Sequence, residues 1–296
     1  MAGVSRGGNR TKRRGVLAAM VLGLLAVAVS GCSTEDAWRL GIPEAMTTQG
    51  ESIEGLWFIA VVAAAIVGGL TYFLILFAMV AYRKRSEDLP TQVQYHIPIE
   101  VIYTVVPFLI VVGLMYATVV SQNDVLDEDP NPDVSVTVTG LKWNWRFTYD
   151  DATGPSGAPV STIGTTAVVP VLVLPTDESV KVNIQSEDVN HSFWVPDFLF
   201  KRDAIPGRTS SFQYNITQEG AYVGHCAELC GAYHAFMNFE VRAVSPADFD
   251  TYLAARERGL TNPEALIEIG QEPLAQTTEP LDGPAAATDS TEEGDA

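Results

Sequence analysis

The chain has 296 residues, of which 47% are hydrophobic, and its formal net charge at pH 7 is −18. A chain of this length forms one or two domains. So acidic a chain repels the phosphates of nucleic acids, which argues against a nucleic-acid-binding function and favours a cationic protein partner.

The first 31 residues have the composition of a bacterial leader. They contain five basic and no acidic residues, and their apolar run at 15–29 is too short to cross a membrane comfortably. The sequence VSGC at 29–32 resembles the cleavage site of a bacterial lipoprotein. We therefore predict a lipoprotein signal peptide at 1–31, a lipidated mature N-terminus at Cys32 and an external segment at 32–52. An uncleaved first helix is the alternative.

Residues 53–122 are predicted to form a transmembrane helical hairpin. The runs 57–82 and 101–120 contain no charged residue, and each is long enough to cross the hydrocarbon core as a helix. Basic residues at 83–85 mark the cytoplasmic side of the first run, and acidic residues at 124–129 place the end of the second run outside. We expect both mature termini and the C-terminal domain to be extracytoplasmic, in a multi-pass protein of the bacterial plasma membrane.

Beyond residue 132 the hydrophobic pattern changes to a period of two. Short alternating segments lie between turn residues, which predicts strands at 134–138, 142–149, 168–174, 180–184 and 210–216. Many short strands within about 110 residues indicate a β-sandwich or barrel, which we place at 133–245. Residues 150–166 are rich in Gly, Pro, Ser and Thr and are predicted to form a loop or hairpin excursion.

The region at 246–296 loses the strand pattern. Ser245 is a suitable N-cap for a helix, and Pro246 is a suitable first helical residue. No Lys or Arg follows Arg258, whereas nine acidic residues do, mixed with Pro, Thr and Ala. Such a composition buries too little apolar surface to order itself, so we predict a C-terminal helix followed by an acidic tail that is disordered or wraps a partner.

The segment 225–237 concentrates side chains that bind metals. It contains two thiols, two imidazoles and a thioether, and a further imidazole lies upstream. The candidate ligands are Cys226, Cys230, His234, Met237 and His191, whereas His225, adjacent to Cys226, is expected to point the other way. Thiolate and imidazole donors favour copper, zinc or iron–sulfur over calcium or magnesium. A mononuclear blue copper site uses one Cys, two His and a weak axial Met. This chain offers one thiolate more, which provides enough ligands for two copper ions.

Two other chemistries remain open for this segment. A zinc site of two Cys and two His could use the same residues, but it would give Met237 no role. A redox-active or copper-carrying thiol pair of the thioredoxin-like type requires a strand–helix–strand context. The segments that flank 225–237 instead alternate like strands.

The order and spacing of these residues match a known family. The matching positions are Cys226, Glu228, Cys230, His234 and Met237, and the sequences DVNHS at 188–192 and DAIPGR at 203–208 precede them. Over about residues 50–245 the chain resembles subunit II of cytochrome c oxidase. This resemblance implies a two-helix transmembrane hairpin followed by an all-β, cupredoxin-like domain of Greek-key topology.

The resemblance also implies a dinuclear copper centre, CuA. In the family both cysteines bridge the two copper ions, and the remaining ligands are the residues that match His191, His234, Met237 and the backbone carbonyl of Glu228. The carboxylate of Glu228 is further expected to hold Mg²⁺ together with groups from subunit I.

Two residues outside the metal-binding segment acquire roles from the resemblance. Residues 100–107 resemble the family's Glu-x-x-Trp-Thr-x-x-Pro, with Tyr103 in place of Trp, so Glu100 is expected near the entrance of the K proton pathway. The aromatic segment 140–149 resembles the one whose first Trp receives electrons from cytochrome c, which assigns this role to Trp143. From spacing alone, Glu100 is equally an ordinary interfacial residue and Trp143 an ordinary core or interface aromatic.

The function implied is that of subunit II of a haem-copper oxidase. The subunit accepts electrons from cytochrome c at CuA and passes them to subunit I, which holds the haem and reduces O₂ to water with proton pumping. Expected partners are subunits I and III, membrane lipids, and a cytochrome c donor that is soluble, membrane-bound or part of a supercomplex. A membrane-anchored copper-delivery protein, or another copper redox protein, is the alternative.

Overall fold

The computed structural model describes residues 39–84, 89 and 92–281. Within these residues the chain forms two long helices, ten strands in two sheets, and two short C-terminal helices. The predicted leader and Cys32 lie outside the described residues.

The two long helices form the predicted hairpin: α1 spans Thr48–Ala81 and α2 spans Ile97–Leu126. Each is long and apolar enough to cross a membrane, with a mean hydropathy of 2.5 in α1 and 2.2 in α2, and their apolar windows are exposed. Both helices extend beyond the predicted apolar runs because polar residues stabilise their ends. Thr47 caps α1 by accepting a backbone N–H of the first turn at 3.0 Å, and Ser52 Oγ of α1 lies 3.2 Å from Ser121 Oγ of α2.

Hydrogen bonds join the hairpin to the β domain. The side chain of Gln49 in α1 accepts the backbone N–H of Asn215 at 3.1 Å. Just beyond α2, the backbone of Asp129 and the side chain of Gln213 exchange two hydrogen bonds, of 2.6 and 2.7 Å. The β domain is therefore held at the end of the hairpin where α1 begins and α2 finishes.

The β domain is a sandwich of two five-stranded sheets. Its strands are β1 Val134–Leu141, β2 Asn144–Thr153, β3 Pro159–Ile163, β4 Val171–Pro175, β5 Val180–Ser186, β6 His191–Val195, β7 Phe200–Ala204, β8 Ser210–Tyr214, β9 Gly220–Cys226 and β10 Asn238–Val244. The first sheet has the order β3-β2-β1-β5-β8, and the second has the order β4-β10-β9-β6-β7. The β1/β5 and β4/β10 pairs are parallel and the others are antiparallel. The predicted all-β domain is thus confirmed, and the predicted excursion at 150–166 contains the end of β2, the turn after it and β3.

Aromatic side chains from both sheets fill the core. Phe193 and Phe239 stack with their ring centroids 4.5 Å apart, and Trp145 meets Phe239 edge-on at 5.5 Å. Gly224 makes room for them, because a Cβ at this position would lie 2.1 Å from the Phe239 ring. Burying each such ring contributes about 1.5–3 kcal/mol to folding stability. Because the rings come from both sheets, their packing fixes the separation of the sheets.

The C-terminal region is more ordered than we predicted. Ser245 caps α3 (Pro246–Glu257) as expected, with its Oγ accepting the Asp248 N–H at 3.2 Å. A second helix, α4 (Asn262–Glu268), follows, and residues 271–281 lie along β10. The structure therefore describes a helix and a segment bonded to β10 where composition predicted a tail that is disordered or wraps a partner. The reason is that the segment finds buried polar partners on β10, which composition does not reveal.

Candidate metal centre

The loop between β9 and β10 closes a short antiparallel pair of strands. His225 in β9 is opposite Asn238 in β10, and the Cys226 N–H donates to the Met237 carbonyl at 3.1 Å. The loop therefore begins and ends at two residues with sulfur side chains, and it brings them to the same end of the sheet.

Five sulfur and nitrogen donor groups converge at this end. Cys230 Sγ is the centre of the group: it lies 3.9 Å from Cys226 Sγ, 3.7 Å from Met237 Sδ and 3.6 Å from His234 Nδ1. His191 Nδ1, at the start of β6, lies 3.9 Å from Cys226 Sγ. The thiols are too far apart for a disulfide, whose S–S distance is about 2.05 Å, so both sulfurs are available as ligands.

The donor set fits copper. His191 and both cysteines are buried and have ligand atoms within 4.8 Å of one another, and Met237 is fully buried beside them. Thiolate, imidazole and thioether together are the soft set that copper prefers. Zinc would use the cysteines and histidines, but the position of Met237 Sδ within the cluster gives copper the better match.

Asp188 and Gly140 hold His191 in place. Asp188 Oδ1 lies 2.8 Å from His191 Nε2, and the same carboxylate accepts the Lys142 N–H at 2.7 Å, so the other ring nitrogen is directed towards Cys226. The ring lies against Gly140, where a Cβ would come within 2.8 Å of His191 Cδ2. Such a carboxylate–histidine pair fixes the orientation and basicity of a ligand ring.

The two thiols differ in acidity. Burial raises the pKa of Cys226, but hydrogen bonds with His191 and the backbone of Ser192 outweigh it and lower the pKa to about 7. Burial, together with the charge on Cys226, raises the pKa of Cys230 to about 12. Burial lowers the pKa of His191, yet its hydrogen bonds with Cys226 and Asp188 raise it overall. The second thiol therefore ionises readily only when a cation replaces its proton.

Two tryptophans contact the β9–β10 loop. Trp143, half-buried just before β2, donates its Nε1–H to the Cys230 carbonyl at 3.3 Å and meets Tyr233 edge-on at 4.9 Å. Trp145 is fully buried, donates its Nε1–H to the Met237 carbonyl at 3.3 Å, and approaches the His191 ring at 6.0 Å. The structure thus brings the predicted Trp143 to the surface side of the cluster, with Trp145 on its inner side.

Sequence reasoning missed Asp188 and Trp145 as site residues. The only available signals were that Asp188 lies three residues before His191 and that Trp145 shares a strand face with Trp143. Neither signal is sufficient, because Asp188 also bonds to the backbone of Lys142 and Trp145 bonds to the backbone of Met237, and both of these contacts join residues far apart in the sequence.

The remaining predicted residues have different surroundings. The carbonyl O of Glu228 lies 3.3 Å from Cys226 Sγ and so faces the cluster, whereas its side chain is exposed. His225 faces away from the cluster, with Nδ1 2.8 Å from Asn238 Oδ1. Glu100 is in the first turn of α2 and accepts the His96 N–H at 2.9 Å. The structure does not bring Glu100 to the metal centre, because the 30 residues of α2, about 45 Å of helix, separate it from the β domain.

Comparison with known proteins identifies the family. Residues 35–119 match the family described as cytochrome c oxidase subunit II, transmembrane domain, and residues 134–244 match cytochrome c oxidase subunit II, periplasmic domain. Cytochrome c oxidase subunit 2 of Mycobacterium bovis is 41% identical, over 94% of this chain and 91% of the relative. That of Corynebacterium glutamicum is 37% identical, over 95% of this chain and 96% of the relative.

One solved structure is also among the matches. The periplasmic domain of subunit II of cytochrome oxidase of Bradyrhizobium japonicum is 28% identical, covers 43% of this chain and 96% of its own, and superposes with a TM-score of 0.39. The two family matches cover the helical hairpin and the β domain separately, and the relatives align over nine-tenths of their length. The chain therefore belongs to the cytochrome c oxidase subunit II family, as a membrane-bound subunit of a haem-copper oxidase with an extracytoplasmic domain.

Proposed function

We propose that the cluster at the β9–β10 loop is the CuA centre through which this subunit accepts electrons from cytochrome c. The proposed copper ligands are His191, Cys226, Cys230, His234, Met237 and the carbonyl of Glu228. One observation carries this assignment: Cys230 Sγ lies within 3.9 Å of another thiol, an imidazole nitrogen and a thioether.

The protein prepares this site in three ways. Asp188 and Gly140 fix the ring of His191, and the hydrogen bond from Cys226 to Met237 fixes the two ends of the loop. Copper bound to both thiolates would supply a one-electron couple shared by two ions, with little change in bond lengths. The buried ring of Trp145 keeps water from the inner side of the cluster.

Electrons enter this centre through Trp143 in our proposal. Its half-buried ring lies at the surface, and its Nε1–H reaches the carbonyl of the ligand residue Cys230. A single hydrogen bond therefore connects the ring to the covalent chain of a ligand. Electrons then leave towards subunit I, which contains the haem and reduces O₂ to water with proton pumping.

Other assignments rest on the family resemblance. The exposed carboxylate of Glu228 would share Mg²⁺ with oxygen groups of subunit I, since this cation prefers oxygen ligands. Glu100 would stand at the entrance of the K proton pathway, and Cys32 would carry the lipid anchor in the plasma membrane. Subunits I and III would be the membrane partners, and the cytochrome c donor would approach from outside.

The burial of the thiols disfavours a copper-delivery protein. Cys226 and Cys230 are only 7% and 5% exposed. A thiol pair that hands copper to a partner must be accessible to that partner's ligands, and here Trp143 and Tyr233 pack over the loop.

Copper loading of the full-length chain in detergent tests the proposal. We expect two copper ions per chain and a paramagnetic resonance spectrum in which one electron is shared by both. Met237→Leu should alter this spectrum, while His225→Asn, a control beside Cys226 whose ring faces away from the cluster, should leave it unchanged. A chain that binds one copper ion, or a colourless metal in its place, would refute the assignment.

A further inference from the structure

The C-terminal segment 271–281, here called the strap, covers the outer face of β10. Asn238, Glu240 and Arg242 alternate along this strand, so their side chains project from the same side of the second sheet, opposite to the aromatic core. All three side chains bond to the strap. The strand that leads out of the metal-binding loop is therefore packed against the core on one side and against the strap on the other.

The strap runs antiparallel to β10 and ends beside the metal centre. Later residues of the strap meet earlier residues of the strand, in the pairs Arg242 with 271, 272 and 274, Glu240 with 276 and 277, and Asn238 with Thr278. The last of these contacts is made by the residue next to Met237, which carries the thioether of the donor cluster.

A buried ion pair holds the strap in this register. Glu240 and Arg242 bond to each other and are only 0% and 1% exposed. Glu240 Oε2 accepts the backbone N–H groups of Gln276 and Thr277 at 2.6 and 2.9 Å and the Thr277 hydroxyl at 2.9 Å. Because the strap supplies these donors, the pair is both buried and fully bonded only while the strap is in place.

Asn238 connects the strap to the ends of the metal-binding loop. Its amide nitrogen donates to Thr278 Oγ1 at 3.2 Å, and its Oδ1 lies 2.8 Å from His225 Nδ1 across the β9–β10 pair. His225 and Asn238 are opposite each other, next to Cys226 and Met237. A line of hydrogen bonds therefore joins the strap to both strands at the point where the loop leaves the sheet and returns to it.

The backbone around Met237 is held from both faces of the sheet. On the core side, the Met237 carbonyl accepts the Nε1–H of Trp145 at 3.3 Å and the N–H of Cys226 at 3.1 Å. On the outer side, the strap bonds to Asn238. Met237 Sδ lies 3.7 Å from Cys230 Sγ, and a thioether is a weak, long copper ligand, so a small movement of this backbone changes the donor set.

We infer that the strap is a positioning element of the metal centre: it holds the start of β10 so that Met237 keeps its place among the donor atoms. This inference rests on the proposed function, in which Met237 is a copper ligand, and it adds a role for residues that act through Asn238 and Glu240. Because the axial ligand tunes the potential of a copper site, the strap governs the reduction potential as well as the retention of copper.

Copper-loaded chains in detergent test this role. The reference chain ends after Leu281 and keeps every strap hydrogen bond to β10, whereas the second chain ends after Gly270 and lacks the strap but keeps α4. A point variant, Thr278→Val, removes the hydroxyl that accepts the Asn238 N–H and keeps the size of the side chain. Its matched control is Thr278→Ser, which retains the hydroxyl.

A second control separates positioning from general stability. Asp133→Asn removes a carboxylate that accepts the Ser179 N–H and hydroxyl at 2.9 and 2.8 Å. This contact precedes β1, whereas Gly140, near the other end of that strand, lies against His191. The substitution should therefore lower the melting temperature without disturbing the donor atoms.

We expect loss of the strap to weaken copper binding about 3- to 10-fold in chelator competition, less than the roughly 10- to 100-fold loss on changing a direct partner of a ligand. The paramagnetic resonance spectrum should change, and the reduction potential should rise, because a thioether held less firmly stabilises the oxidised ions less. Thr278→Val should shift the spectrum and the potential in the same direction by a smaller amount. Thr278→Ser and Asp133→Asn should match the reference chain in both.

Two results would overturn the inference. One is an unchanged spectrum, potential and copper affinity without the strap, even with a lower melting temperature, because the strap would then only stabilise the fold. The other is an equal shift in Asp133→Asn, which a general loss of stability would explain. If the chain that ends after Gly270 does not fold, Thr278→Val decides alone, and a potential and spectrum equal to those of Thr278→Ser refute the role.

The reference chain separates this inference from the proposed function. Two copper ions that share one electron in this chain, together with unchanged variants, refute only the positioning role of the strap. Absence of the copper pair from the reference chain refutes the proposed function itself.

Discussion

Gly140→Ala probes how tightly His191 is packed. The added Cβ would lie 2.8, 3.0 and 3.1 Å from three atoms of His191, the nearest being Cδ2. Ordinary carbon–carbon contacts occur at about 3.5–4.0 Å, so the ring must withdraw by roughly 0.7 Å. Asp188 holds the ring through Nε2 and Trp145 lies at its edge, which leaves it little room to retreat.

The expected loss of folding free energy follows from this overlap. Overpacking a core costs about 1–3 kcal/mol, and the lower backbone entropy of alanine in the unfolded chain returns about 0.4–1 kcal/mol. A net loss of about 1–2 kcal/mol should lower the melting temperature of the metal-free chain by roughly 3–10 °C. Displacement of His191 should also weaken copper binding. Tryptophan fluorescence follows the melting, and competition with a chelator gives the copper affinity.

Gly154→Ala is the matched control, because the nearest atom to its Cβ would be the Ala158 carbonyl O at an ordinary 3.7 Å. We expect neither its melting temperature nor its copper affinity to fall. If Gly140→Ala behaves like this control in both measurements, His191 is not confined as described.

Three further substitutions test other contacts. Asp188→Asn should weaken copper binding about 10- to 100-fold in chelator competition, since it loosens the ring of His191; wild-type affinity would show that other contacts orient the ring. Glu240→Gln should lower the free energy of unfolding in urea by about 3–5 kcal/mol, because it leaves Arg242 buried without its countercharge; a loss below about 1 kcal/mol would contradict this. Hydrogen bonds from the backbone and hydroxyl of Ser179 hold the pKa of Asp133 below its usual value. This carboxylate therefore stabilises the fold at neutral pH and loses that effect as the pH falls below about 4. Asp133→Asn should therefore lower the melting temperature at pH 7, with the difference narrowing towards acid; an equal difference at all pH values would exclude the ionised carboxylate as its cause.

The cluster of sulfur and nitrogen donors at the β9–β10 loop could be predicted from sequence because four of its five side chains are close together in the chain. Cys226, Cys230, His234 and Met237 lie within 12 residues, so their spacing alone limits the site they can form. The helices of the hairpin could also be predicted from the sequence, because an uncharged apolar run of more than 18 residues is typical of a transmembrane helix. Contacts between residues far apart in the chain, such as Asp188 with Lys142 and Trp145 with Met237, could not be predicted in this way.

The strands beside the metal centre were harder to predict. The sequence HSFWV of β6 has no alternation, because four of its five residues are buried. The sequence FKRDA of β7 carries three charges because it is an edge strand with one side exposed. The order of residues 271–281 could not be predicted for a related reason. Their low hydrophobicity indicates disorder, but the charged residues that bind them, Glu240 and Arg242, belong to another part of the chain.

The hairpin contacts one end of the strands of the β domain, and the β9–β10 loop lies at the other end. Near the hairpin, Met46 bonds to the carbonyl of Asp197, just beyond the end of β6, whereas His191 begins that strand. β9 runs for seven residues, about 20 Å, before it reaches Cys226. Electron tunnelling slows exponentially with distance. A stiff spacer between the hairpin and the metal centre would therefore keep the rate of electron transfer from this centre towards the membrane steady while the bilayer thins, thickens or bends.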